Sequence, residues 1–146
     1  MPDRKFVQAG DFMNVFITLD DRMGVLFNNR RQSRDEEVCK RIVAFAEGKK
    51  LLMNSYSAKL FSEFESHVTV SESFMDEAGE GDYCFAENVK ILPYVDKIEK
   101  LVVFKWNRHY PSDTKTDIDF SVWNLSETEE FPGKSHEKIT MEVYIR

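Results

Sequence analysis

The chain of 146 residues carries 26 acidic against 20 basic side chains, a net charge of −6, and is 42% hydrophobic. That length suits a single domain able to bury about two-thirds of its unfolded surface without disulfides. The negative balance excludes broad electrostatic capture of nucleic acid or of an anionic membrane, while leaving room for a local basic pocket.

The start MPDRKFVQAGD lacks the apolar core of a signal peptide, and no apolar run approaches the roughly 20 residues of a membrane span. A cytoplasmic protein with a loose arm over residues 1–11 is the expectation. NVFITL, Asn14 to Leu19, is β-branched, aromatic-rich and apolar on both faces, the pattern of a buried central strand. A turn follows at Asp20-Asp21-Arg22-Met23-Gly24. From Ser33 the spacing becomes helical, with an apolar stripe of Val38, Cys39, Ile42, Val43, Phe45 and Ala46 and a C-terminal stop at Gly48. Cys39 and a second cysteine, Cys84, lack metal-ligand spacing and read as small buried hydrophobes.

LLMNSY then predicts a short strand, Ala58 to Phe64 a short helix, Val68 to Val70 a strand, Ser73 to Ala78 a helical turn and Tyr83 to Ala86 a strand. Gly79 to Asp82, GEGD, reads as a turn. Strands alternating with helices imply a mostly parallel sheet with helices on its faces. ILPYVDKIEK holds a short helix, and LVVFKW from Leu101 is another buried strand. DIDFSVWNL and ITMEVYIR, joined past Phe131-Pro132-Gly133-Lys134, predict a terminal antiparallel hairpin. In its last strand Ile139, Met141, Val143 and Ile145 alternate with polar neighbours. The acids Glu127, Glu129 and Glu130 read as a solvated strand face, and His136 as a turn or surface residue.

With ITLDDRMGVLFNNRRQSRDEEV at its front and LPYVDKIEKLVVFKW, SDT and VWNLSETEEF…SHEKITMEVYIR at its back, the chain resembles the dihydrofolate reductase family. The resemblance runs from about Asn14 to the end and rests on order and spacing. It implies an α/β fold: a mixed, mostly parallel central sheet with flanking helices and a C-terminal antiparallel hairpin. RRQSRD, YCF, WNRHYPSD and FPGKSHE are also similar to a group of small bacterial proteins that carry the label ribonuclease Z. That nuclease needs a two-metal site built on clustered histidines and acids, whereas His67, His109 and His136 stand far apart in the sequence.

The reductase resemblance implies a proton-delivering acid near the start of the first helix, working beside NADPH as hydride donor, and Asp35 falls at that place. The same residues also read as a capping box, with Ser33 as N-cap and Glu36 reaching back. Where the family has an apolar platform under its substrate, this chain has Arg30-Arg31-Gln32-Ser33. The family's glycine pair, which admits the dinucleotide pyrophosphate, is replaced by Cys84-Phe85-Ala86-Glu87, and its phosphate-holding motif is matched only by Asn54-Ser55-Tyr56-Ser57. Phe104 replaces the threonine that meets the acid. The cofactor therefore stays open: NADPH is what the family uses, and its usual motifs are absent.

WNRHYPSD places Trp106, Arg108, His109 and Tyr110 at the C-terminal end of a strand, the edge where open α/β sheets hold ligands. Trp106 and Tyr110 suit stacking on a planar ring and Arg108 a phosphate or carboxylate, although aromatics also close over cores at such exits. Together with Arg30, Arg31, Arg34 and Tyr56 they are the candidate ligand-binding residues. The expected function is binding of a small anionic or heteroaromatic ligand such as a nucleotide without standard NADPH contacts. The alternatives are a reductase of a pterin-like or nucleotide-like substrate with Asp35 as acid, and a non-catalytic interaction protein, homodimeric through a sheet edge. No Ser-His-Asp arrangement can be drawn from spacing alone.

Overall fold

The computed structural model describes residues 12–146, and the arm expected over residues 1–11 lies outside them. The central strand, β1 (Met13–Leu19), pairs in parallel with β6 (Tyr83–Phe85) on one side and β7 (Ile98–Lys105) on the other. Beyond β6 lie β4 (Leu51–Met53) and the edge strand β5 (Val68–Val70), both parallel. Beyond β7 lie β10 (Ile139–Ile145) and β9 (Asn124–Phe131), each antiparallel to its inner neighbour. The sheet order is β5-β4-β6-β1-β7-β10-β9, a mostly parallel sheet closed by the antiparallel C-terminal hairpin that the sequence implies.

Alternate residues of β1 serve opposite faces. Phe16 joins one core with Phe104, Phe85 and helix α1 (Glu36–Phe45), while Val15 and Ile17 join the other with Phe74 and Trp123. Helix α1 turns Val38, Cys39 and Ile42 inward, and Gly48 takes a left-handed φ of 85° soon after its end. Both cysteines are buried, and burial pushes each thiol up to about 12. The solvated acids of β9 are exposed, as expected of an edge strand; the end of β10 departs from strict alternation, since Ile145 is 40% exposed.

Three local expectations change. The cap of α1 is Asp35, not Ser33: its backbone is extended and its carboxylate accepts from Glu37 N at 2.9 Å. The helix expected at Ala58 to Phe64 is α2 (Ser55–Ala58), running into a 3-10 segment, Lys59–His67, where Phe61 and Phe64 leave helical geometry. A second sheet also appears, of β3 (Arg30–Arg31), β2 (Gly24–Phe27) and β8 (Thr114–Lys115). Its hairpin turns on Asn28 and Asn29, both at positive φ (51° and 60°), a conformation asparagine tolerates better than most residues. A short helix α3 (Phe74–Glu77) precedes β6, and the short helix expected in ILPYVDKIEK is a 3-10 segment, Leu92–Lys97. No helix of the described residues is long and apolar enough to cross a membrane.

Candidate functional site

At the C-terminal ends of the parallel strands the chain leaves the sheet through residues 20–35 after β1, Asn54 after β4, residues 86–91 after β6 and residues 106–113 after β7. The hairpin β2–β3 and strand β8 tie two of these segments together. Asp113 N donates to Leu26 O at 3.1 Å, and the Asp113 carboxylate accepts from Asn28 N at 3.0 Å. Asp20 fixes the turn after β1: its carboxylate accepts from Arg22 N, Gly24 N and Gln32 Nε2 at 2.7–2.9 Å. Burial alone would raise its pKa; those donors outweigh burial and lower it.

Asp35 is the most heavily engaged side chain of this edge. Oδ1 accepts from Glu37 N and Lys134 N, each at 2.9 Å. Oδ2 accepts from Ser135 N at 2.8 Å and Ser135 Oγ at 3.0 Å, and lies 2.9 Å from His136 Nδ1. Burial of this side chain works against its charge, but the Lys134, His136, Ser135 and Glu37 donors hold its carboxyl well below the usual carboxylate range. Beyond the imidazole, His136 Nε2 lies 2.9 Å from Ser33 Oγ and 3.0 Å from Tyr110 Oη, and Tyr110 Oη donates to Ser33 Oγ at 3.2 Å. The indole of Trp106 stacks on the imidazole, with centroids 4.6 Å apart and planes 24° from parallel.

A second cluster joins the hairpin to the loop after β6. Arg31 Nε and Nη2 both meet the Glu87 carboxylate at 2.9 Å, a bidentate pair in which Glu87 is only 4% exposed. Ser57 Oγ donates to the same carboxylate at 2.7 Å. The Arg31 guanidinium stacks 4.2 Å above the Tyr56 ring and donates to Tyr56 O, while Tyr56 Oη accepts from Arg31 N at 2.9 Å. The charge of Glu87 raises the pKa of Arg31 against the opposing effect of burial.

The residues singled out in the sequence therefore divide. Arg30, Arg31 and Tyr110 line one open cleft of ≈470 Å³ together with Phe27, whose side chain is exposed. Tyr56 reaches that group through Arg31. Arg34 and Asp35 line a different cleft, of ≈350 Å³, with Lys59, Glu63 and Lys134. Trp106 is buried beneath His136, and Arg108 and His109 are exposed in the loop after β7. A third opening, ≈250 Å³, lies at the end of β1 over Ile17, Leu26, Ala86 and Ile91, with Lys90 and Lys115 on its rim. A further groove, ≈540 Å³, lies beyond the opposite end of β4 and shares no residue with the Asp35 network or the Arg31 cluster. Among the described residues no group of three or more His, Cys, Asp or Glu side chains is placed to hold a metal ion.

His136 is the participant that sequence reasoning missed. Expected as a turn or surface residue, it does lie in the connection between β9 and β10, but it is 5% exposed and central to the Asp35 network. The reason is the loop between β9 and β10, which folds back over the start of α1. Gly133 N donates to His136 O, and a side chain at Gly133 would place Cβ 2.6 Å from Asp35 Oδ2. The signal in the sequence was FPGKSHE itself, a glycine, a serine and a histidine within four residues, but its partner lies about a hundred positions away.

No protein-family model and no curated protein matches this sequence. Among solved structures the chain is similar to a dihydrofolate reductase from Enterococcus faecalis complexed with NADP(H) and RAB-propyl. The TM-score is 0.66 at 13% identity, over 94% of this chain and 97% of that one. The chain has a dihydrofolate reductase-like fold.

Proposed function

We propose that the protein binds a small, planar, negatively charged ligand of nucleotide type at the C-terminal edge of its parallel strands. The observation that carries this reading is the ≈470 Å³ cleft in which the exposed Arg30, whose guanidinium has no partner among the described residues, stands beside Phe27 and Tyr110. A guanidinium and an aromatic ring on one wall recognise a charge and a flat face together. Open α/β sheets hold ligands at this edge.

The similar reductase structure contains NADP(H), and the residues here do not fit a dinucleotide pyrophosphate in the way the resemblance implies. Glu87 brings a carboxylate to the loop after β6, and the guanidinium nearest to it, Arg31, is already committed to that carboxylate. The hydroxyl-bearing segment after β4 is likewise turned inward, with Ser57 on Glu87 and Asn54 Oδ1 capping α2. Stacking between Trp106 and a ligand is not part of the proposal, because that ring is engaged by His136.

Melting temperature measured against nucleoside monophosphates, a pterin, NADP and NADPH tests the reading. A nucleotide is expected to raise it, and Arg30→Ala to remove the rise without lowering the unliganded value. Stabilisation by NADPH beyond that of any mononucleotide would overturn the reading in favour of a reductase. A folded protein that no ligand stabilises would overturn it in favour of an interaction protein.

A further inference from the structure

Ser33, His136 and Asp35 stand in a line that the cleft does not explain. A base that activates a hydroxyl must lie within hydrogen-bond reach of it, and a third group must fix the base's orientation and tautomer. Both links are present at 2.9 Å: Ser33 Oγ to His136 Nε2, and His136 Nδ1 to Asp35 Oδ2. With Asp35 ionised, Nδ1 is the nitrogen that carries the proton of a neutral imidazole, and Nε2 is left as the acceptor facing Ser33. These contacts admit a one-way chain in which each hydrogen is used once: Tyr110 Oη donates to Ser33 Oγ, Ser33 Oγ to His136 Nε2, and His136 Nδ1 to Asp35, with Tyr110 Oη itself 3.0 Å from Nε2.

Burial grades along this chain. The Asp35 side chain is 0% exposed and that of His136 3%, whereas Ser33 and Tyr110 are half-buried. A pin that only fastened the β9–β10 loop to α1 would be complete at Asp35, through the backbone donors of Lys134 and Ser135. Here the hydrogen bonds continue outward to a hydroxyl at the edge of solvent, between a residue that lines the Arg30 cleft, Gln32, and one that lines the Asp35 cleft, Arg34. The backbone N–H of Arg34, directly after the hydroxyl residue, donates to no acceptor among the described residues. That is the position from which nucleophilic serines commonly receive help in stabilising an oxyanion.

We propose that Ser33 is a nucleophile, His136 its general base and Asp35 the group that positions His136, forming an acyl-transfer site that hydrolyses carboxylic esters. Ser33 Oγ attacks the ester carbonyl carbon while its proton passes to His136 Nε2. The tetrahedral intermediate collapses, the bond to the alcohol oxygen breaks, and His136 returns the proton to the departing alkoxide. Water then attacks the acyl-serine with His136 again taking a proton. The carboxylic acid leaves and Ser33 Oγ recovers its hydrogen, so ester and water give acid and alcohol. Placement of an anionic, planar ester by the Arg30 cleft rests on the ligand reading above; the chemistry at Ser33 does not.

Treatment of the full chain with a fluorophosphonate, followed by peptide mass analysis, reads the nucleophile directly. The expected result is one adduct, on the peptide holding Ser33. Hydrolysis of p-nitrophenyl acetate is expected to fall at least about 100-fold in Ser33→Ala, a variant that retains its melting temperature. Folded Asp35→Asn is expected to lower the maximal labelling rate while leaving initial probe binding unchanged, which a merely structural role would not do. No adduct on the folded protein, or adduct and turnover that persist in Ser33→Ala, would overturn the assignment. Neither probe needs the Arg30 cleft. Labelling without nucleotide binding therefore fails the ligand reading alone, and nucleotide binding without labelling fails the acyl-transfer site alone.

Discussion

Asp35 takes hydrogen bonds from three backbone amides, one hydroxyl and one imidazole. Sequence and structure agree that an acid opens the first helix; they differ in what it faces. In the reductase resemblance that acid serves a substrate, whereas here its oxygens are filled by the helix it caps and by residues Lys134 to His136. Its folded pKa lies below the ordinary aspartate value of 3.8, so its stabilising contribution is present above that value and is lost as pH falls through and below it. Asp35→Asn is expected to cost about 2–4 kcal/mol in urea unfolding at neutral pH. The difference from wild type should shrink as the buffer is taken below about pH 4, where the unfolded carboxyl protonates. A difference that stayed constant down to acid pH would show that the charge of Asp35 contributes nothing to the fold.

The β9–β10 connection is the element that converts a helix cap into a closed network. Gly133 is required there by space: an added Cβ would lie 2.6 Å from Asp35 Oδ2, 2.7 Å from Ile139 Cδ1 and 3.0 Å from His136 O. Gly133→Ala must therefore move the loop or the carboxylate, at a cost of about 1–3 kcal/mol. The same variant is expected to loosen His136 from Trp106, seen as a change in indole fluorescence before any global unfolding; an unchanged emission spectrum and melting temperature would refute this. The β2–β3 hairpin shows the opposite relation between chain and structure. Asn28-Asn29 between Phe27 and Arg30 is a short-range turn signal, yet the segment escapes a strand reading because β3 is only Arg30–Arg31.

Across the whole molecule, the pairing of β2 with β8 joins the segments that leave β1 and β7, and the loops after β4 and β6 are tied to them by side chains. The clearest case is Arg31 with Glu87, 56 residues apart, which ties the hairpin to the loop after β6 and, through Tyr56 and Ser57, to α2. Breaking one half of a buried pair leaves a charge without compensation, so Arg31→Met is expected to destabilise by about 3–5 kcal/mol. Arg31→Met combined with Glu87→Gln should recover most of that loss in the same urea assay. A double variant as unstable as the single one would mean that the arginine acts through its stacking on Tyr56 rather than through its charge.

The sequence by itself determined the elements whose residues repeat at strand or helix spacing: the doubly apolar β1 and β7, the striped α1, and the alternating β10. Their order was enough to imply a mostly parallel sheet ending in an antiparallel hairpin. Those features are local, because burying an apolar face imposes a period of 2 or 3.6 on a short window of chain. The neighbourhood of Asp35 was decided only by the tertiary structure. Ser33 and Asp35 lie two positions apart, but His136 meets them from 103 and 101 residues away. No periodicity spans that distance. The encounter depends on β9 and β10 docking beside β7, so that their connecting loop falls on the start of α1 and a histidine expected in a turn or at the surface is buried against Asp35.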